Sequence, residues 1–215
     1  MNIVSTLSSQ MAVSIENAQL FAQIKNFFLN TVKALAATID AKDPYTYGHS
    51  ERVAQYSLAI AEELGLNLKE RENVQLGALL HDIGKLGVSD EILHKTAALT
   101  DEEFEEIKKH PAQGTNILEH IKEFAAIIPG MRHHHEKFGI KGYPDGLTGD
   151  DIPLIGRIIS VADAFDAMTS DRAYRKRLNY DEVLKRIRDS AGTQFDPKVV
   201  DVFLRLFESG KIPIS

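Results

Sequence analysis

Residues 50–85 read SERVAQYSLAIAEELGLNLKERENVQLGALLHDIGK, and this stretch decides the fold. The run from Ser50 to Leu64 is a helix that Gly65 ends, glycine being the residue that most readily takes the left-handed conformation beyond a last turn. Asn67 and Glu70 then have capping-box spacing, in which the asparagine side chain accepts from the backbone three residues on and the glutamate reaches back. A second helix follows and stops at Leu80, where His81-Asp82-Ile83-Gly84-Lys85 begins. Helix, glycine, cap, helix is the punctuation of an α-helical protein.

The same signals recur in both directions. Thr100 with Glu103 and Asn179 with Glu182 predict two more capping boxes. Asp196-Pro197 predicts an N-cap and a first-turn proline, with Gly210 closing that helix. Upstream, Leu7, Met11, Ile15, Ala18, Phe21, Ile24, Phe28, Val32, Leu35 and Ile39 recur every three or four positions, with no proline or glycine before Pro44. A long helix cannot bury such a narrow stripe against itself, so the preferred expectation is a parallel pairing with a second copy. A first bundle helix with a frayed end is the alternative. Residues 137–152 carry Gly139, Gly142, Pro144, Gly146 and Gly149 and predict an ordered loop. No stretch sustains period-two alternation. The expected class is all-α, a helical bundle at 43–215 preceded by a linker or signalling helix at 1–42.

Composition narrows the function. The formal net charge is −6, which leaves no basic surface to neutralise polymeric nucleic acid, although local positive charge can still hold a small anion. The chain has no cysteine, so thiolate ligands, disulfides and cysteine nucleophiles are all excluded, in keeping with a reducing cytoplasm. Neither a secretory leader nor an apolar run near the ~20 residues of a membrane span is visible, so no membrane segment is expected.

Histidines and aspartates fall where helices end. The neighbours His81 and Asp82 can share one ion while the second oxygen of Asp82 reaches another, which makes Asp82 a natural bridge. A histidine at a helix C-terminus is also favoured by the dipole alone. The run His133-His134-His135-Glu136 points to transition metals, for which imidazole is a common ligand; an exposed basic-leaning patch is the alternative. His49 and His110 sit at helix starts, where they can equally be polar termini. Asp163 interrupts an apolar run, a costly place for an unpaired carboxylate, and Asp166 one turn on is a candidate partner behind the ligands. Five neutral imidazoles, two aspartates, two divalent ions and one bridging hydroxide sum to about +1, which attracts a phosphodiester.

Taken together, HDIGK at 81–85, HHE at 134–136, GYP at 142–144 and ADAFDAMTSDRAYR at 162–175 closely resemble the HD-GYP family, over roughly Asp43 to Phe207. DPYTYGHSERVAQYS and GTQFDPKVV look like that family's opening and closing segments. The resemblance implies an HD-type helical fold and hydrolysis of cyclic di-GMP, a bacterial second messenger, to pGpG or GMP. By position, His49, His81, Asp82 and Asp163 match the ligands of one metal, and Asp82, His110, His134 and His135 those of the other. Iron or manganese is favoured, with nickel or zinc compatible. Lys85 matches a contact to the scissile phosphate, Tyr143 lies in the substrate-side loop that Gly142 and Pro144 shape, and Arg172 and Arg175 match nucleotide contacts. Residues 13–21, VSIENAQLF, are similar to the closing helix of a GAF sensory domain, which implies an upstream sensor.

Two departures stand out. Where the family carries Trp or Phe followed by Asp-Gly, this chain has Phe138-Gly139-Ile140, so an acidic residue is missing beside the GYP turn. Members with a third metal resemble one another in a glutamate four residues before the first histidine ligand; that place is Tyr45 here, so two metals are expected. The expected chemistry is in-line attack by the metal-bridging hydroxide, with Asp82 and Lys85 as the catalytic side chains. On the residues alone, Lys85 can instead complete a helix C-cap, Tyr143 can merely pack the loop, and Arg172 and Arg175 can be solvated charges. His94 and His120 read as ordinary surface residues. A sensor or partner-docking module with the same fold is the competing function, and another nucleotide substrate is a third reading.

Overall fold

The computed structural model describes residues 3–43, 47–171 and 176–212. Two compact units divide between Leu35 and Ala36, inside the first helix and earlier than the 42/43 boundary expected from sequence. That helix, α1, is Ile3–Lys42. In the first unit Leu7, Met11, Ile15, Ala18, Phe21 and Ile24 lie exposed at three- and four-residue spacing, Phe21 at 72%.

The second unit contains α2 (His49–Glu63), α3 (Leu68–Leu80), α4 (Asp90–Leu93), α5 (Asp101–Ile107), α6 (His110–Leu118), α7 (Ile128–Arg132), α8 (Leu154–Thr169), α9 (Tyr180–Asp189) and α10 (Pro197–Glu208). Short 3-10 turns cover Ile83–Gly87, Lys122–Phe124 and Gly149–Asp151. No strand occurs among the described residues, only an isolated bridge between Ala191 and Phe195, and the all-α expectation holds. Both halves of the capping box form at Asn67/Glu70 and at Thr100/Glu103. At α9 only the Asn179 half forms, because the Glu182 carboxylate takes Arg186 one turn on, at 2.6 Å, instead of folding back.

The core lies where α2 and α3 pack together and both meet α8. Ile60, Leu79, Leu80, Ile158, Ile159 and Phe165 are among its fully buried side chains. Phe165 anchors an aromatic cluster, with Tyr56 at 5.1 Å and Phe203 at 4.9 Å between ring centroids. Burying a side chain of this size contributes roughly 1.5–3 kcal/mol, so this packing fixes the helix ends that α2, α3 and α8 present. The loop 137–153 is ordered by backbone bonds. Phe138 N donates to Gln194 O at 3.1 Å, Gly139 N to Thr193 O at 2.7 Å, and Gly149 N to Phe138 O at 2.7 Å. Gly139, where the family's acidic residue is missing, is therefore held through its main chain.

Candidate metal centre

The histidines converge because the helices that carry them begin or end at one place. His49 opens α2, His81 caps the end of α3, His110 opens α6, and His134 and His135 follow α7. Asp163 comes from within α8. Three of the imidazoles are set the same way, each Nδ1–H donating to a carbonyl three residues earlier. His81 bonds Ala78 O at 2.7 Å, His110 bonds Ile107 O at 2.8 Å, and His134 bonds Met131 O at 2.6 Å. Such a bond fixes the tautomer and turns the Nε2 lone pair inward. His49 reaches the same state through a carboxylate, its Nδ1 lying 2.7 Å from Asp166 Oδ2.

Two of these inward nitrogens lack protein partners. Nε2 of His110 and of His134 is buried without a hydrogen bond, an omission that costs about 1–3 kcal/mol per group. His110 Nε2 does approach Asp82 Oδ1, to 3.3 Å, but out of line for a hydrogen bond. His49 Nε2 and His81 Nε2 face each other at 3.3 Å, where a shared proton or a cation between them relieves two opposed lone pairs. The donors fall into the sets His49, His81, Asp163 and His110, His134, His135, with His81, Asp82, His134 linking them. Within each set the ligand atoms lie within 4.8 Å of one another, close to the ~4.2 Å that two donors at ~2.1 Å from one ion can span. The residues therefore fit divalent cations.

Asp82 stands between the sets. Its Oδ2 is 3.5 Å from His81 Nε2 and 3.8 Å from His49 Nε2, and its Oδ1 faces His110. Asp82 lies outside α3, with φ −98° and ψ 6°, so its direction comes from the following turn and not from helical spacing to His81. Gly84 lets that turn close: a Cβ there would stand 1.8 Å from His110 O. Gly142 does the same for the GYP turn, where a Cβ would meet His135 O at 2.3 Å.

The charge states suit cations. Burial, then the His135 ring, hold His134 well below the usual imidazole range, and burial and His110 bring His135 to about 3. Burial opposes ionisation of Asp82 and Asp163. Lys85 and His81 outweigh it at Asp82, and His49 and His81 at Asp163, so both stay below the usual carboxylate range. His49 is raised, since Asp166 and Asp163 overcome its burial. Lys85 Nζ bonds Asp82 Oδ2 at 2.6 Å, which brings its ammonium to the centre. Tyr143 lies beside the His135 ring, centroids 4.8 Å apart; burial and the charges of Asp82 and Asp163 raise its hydroxyl, which stays a donor. The buried His134 removes the exposed-patch alternative. Arg172, Arg175 and Tyr45 lie outside the described residues.

Several residues outside the predicted ligand set support the centre. Arg52 grips Asp166 with Nε at 2.6 Å and a terminal nitrogen at 3.0 Å. Glu136 accepts the amides of Asp145 and Gly146, and Asp145 in turn holds Arg132 and His133. His133 thus faces away from the centre. His94, expected to be an ordinary surface residue, is exposed but donates to Lys42 O at 2.7 Å.

A family model described as HD domain matches residues 33–199. The 3'3'-cGAMP-specific phosphodiesterase 3 of Vibrio cholerae is 39% identical over 191 residues, which cover 88% of this chain and 42% of that protein. The cyclic di-GMP phosphodiesterase of Thermotoga maritima is 38% identical over 192 residues, covering 87% and 52%. The chain thus spans about half the length of the curated relatives it matches. Among solved structures, the cyclic GMP-AMP-specific phosphodiesterase of V. cholerae aligns with TM-score 0.68 at 19% identity, covering 85% of this chain and 49% of that one. An HD-GYP protein of Bdellovibrio bacteriovorus aligns with TM-score 0.61 at 24% identity, covering 74% and 51%; both likenesses speak to the fold. The chain belongs to the HD domain family, and its HDIGK and GYP motifs set it in the HD-GYP branch.

Proposed function

We propose that this domain is a metal-dependent phosphodiesterase that hydrolyses cyclic di-GMP to pGpG or GMP. The observation that carries the proposal is Asp82, whose two oxygens face two separate sets of inward imidazoles. His49, His81 and Asp163 with Asp82 would hold one divalent ion, and His110, His134 and His135 with Asp82 the other. A nitrogen-rich donor set favours iron or manganese, with nickel or zinc compatible. Such a pair supplies Lewis acidity and a water ionised at neutral pH.

The chain's own residues do the rest. With two divalent ions bound, imidazole ligands in their neutral form and two ionised aspartates would leave an excess of positive charge that draws in a phosphodiester. The bond from Lys85 to Asp82 uses one of the three donors of its ammonium, and Asp82 keeps it charged, so it can also meet a phosphoryl oxygen as negative charge develops there. Tyr143, held against His135, offers a hydroxyl donor on the loop side. Arg172 and Arg175 are proposed nucleotide contacts from the sequence match. The exposed stripe of α1 supports a homodimer through that helix, and the greater length of the relatives supports an upstream sensory domain. Turnover of an intracellular messenger would support a cytoplasmic location.

Product formation from cyclic di-GMP with added manganese or ferrous iron, under reducing conditions, tests the reaction. A metal-loaded protein that binds the dinucleotide and releases no product over hours identifies a sensor or docking module instead. Relatives named for 3'3'-cGAMP support a second substrate reading, decided by side-by-side rates on the two dinucleotides.

A further inference from the structure

The last turn of α1 touches two of the elements that build the centre, α2 and the 3-10 turn Ile83–Gly87. α2 has Gly48 at its N-cap position and no capping side chain of its own. The buried carboxylate of Asp40 takes that place from α1. Its Oδ1 accepts the Ser50 hydroxyl at 2.6 Å and its Oδ2 accepts the Ser50 amide at 3.2 Å. Ser50 adjoins His49, so this external cap holds the turn from which His49 projects.

Two residues on, Lys42 does the same for the turn that carries Lys85. Its Nζ donates to Lys85 O at 3.2 Å, Leu86 O at 3.1 Å and Val88 O at 2.6 Å, with Asp90 Oδ1 at 3.5 Å. Three carbonyls match the three donors of an ammonium, and they belong to the C-terminal end of the 3-10 turn Ile83–Gly87, where partial negative charge collects. The Lys42 carbonyl accepts from His94, so this end of α1 is tied to residues 85–94 in both directions. The geometry assigns Asp40 and Lys42 as positioning residues of the metal centre, Asp40 acting through His49 and Lys42 through Lys85. A displacement of this last turn therefore reaches a metal ligand and the phosphate-side lysine together. The kinetic arm of this assignment rests on the proposed phosphodiesterase reaction; the other arms do not.

The test uses the full chain with Asp40→Ala, Ser50→Ala, Lys42→Met and Lys42→Arg. Removing support behind a ligand typically lowers metal affinity ~10–100-fold, so Asp40→Ala and Ser50→Ala should each weaken Mn(II) binding, measured by chelator competition, by about tenfold or more. The double variant should lose little beyond Asp40→Ala alone, because Asp40→Ala already removes the hydroxyl bond that Ser50→Ala removes. Lys42→Met should speed amide exchange across residues 83–88 and lower kcat about tenfold with KM little changed, and Lys42→Arg should restore both. Wild-type Mn(II) affinity in folded Asp40→Ala or Ser50→Ala overturns the first assignment, and Ser50→Ala decides it alone if Asp40→Ala does not fold. Unchanged exchange in Lys42→Met overturns the second. If the wild-type protein turns over no cyclic dinucleotide, the proposed reaction fails, while Mn(II) affinity and exchange still decide the two assignments.

Discussion

Asp166→Asn separates a metal centre from a mere cluster of polar side chains. The Asp166 carboxylate is buried and accepts four contacts, from His49 Nδ1 at 2.7 Å, from Arg52 at 2.6 and 3.0 Å and, more weakly, from Ser170 Oγ at 3.4 Å. Asparagine keeps the shape but removes the charge and turns one acceptor into a donor, which then meets the N–H of either His49 or Arg52. One charge-assisted bond is lost, worth about 1.5–3 kcal/mol, and the lower end applies because the Arg52 side chain is partly exposed. The change also strips His49 of the anion that raises its basicity, so His49 becomes a weaker donor. Losses at such a position run to ~10–100-fold in metal affinity, or about 1.4–2.7 kcal/mol. The assay pairs Mn(II) competition against a chelator with thermal melts of the metal-free protein. Arg52→Met is the control: it breaks the same ion pair, leaves Asp166 on His49, and should lower stability with a smaller loss of metal affinity. Asp166→Asn protein that melts lower yet binds Mn(II) like wild type would refute the place of His49 among the ligands.

Three further outcomes follow from the same contacts. Lys85→Met should keep the metal content and lower kcat by about 10²–10³-fold, the scale of one lost charge-stabilising donor; unchanged kcat removes Lys85 from the reaction. In metal-free protein, His134 is held well below the usual imidazole range and His135 at about 3, so unfolding takes up their protons once the pH drops below ~6.5. Their folded values are depressed, so their contribution is present above that pH and lost as pH falls, while the raised His49 is protonated in both states there. Urea titrations should show stability falling by at most about 2.7 kcal/mol per pH unit between pH ~6 and ~4.5, two imidazoles at 1.36 each, and a flat profile contradicts the neutral imidazoles. Phe21→Glu with Ile24→Glu, both at exposed positions of the α1 stripe, should convert a dimer to a monomer in light scattering; an unchanged mass ends the pairing proposal.

Much of the fold could be read from local signals. Asn67/Glu70, Thr100/Glu103 and Asp196-Pro197 mark helix starts because they satisfy orphan amides within a few residues, a short-range demand that spacing reveals. Glu182 shows the limit, since Arg186 competes for it one turn away. The histidines and aspartates could be singled out by type and place, and the resemblance grouped them. Their partners could not. Arg52 on Asp166, Asp40 on Ser50 and Lys42 on the carbonyls near Lys85 join residues 114, 10 and 43–46 positions apart, and ordinary charged residues carry no spacing that announces such pairs. The backbone approach at Gly84 is likewise a tertiary fact, since His110 lies 26 positions away in sequence.

The central claim is that seven side chains cage two cations on either side of Asp82. Anomalous diffraction from crystals of protein purified without oxygen and loaded with manganese tests it most directly. The account predicts two peaks, one among His49, His81 and Asp163 and one among His110, His134 and His135, each adjoining an oxygen of Asp82. A single peak, or none at these residues, would contradict it.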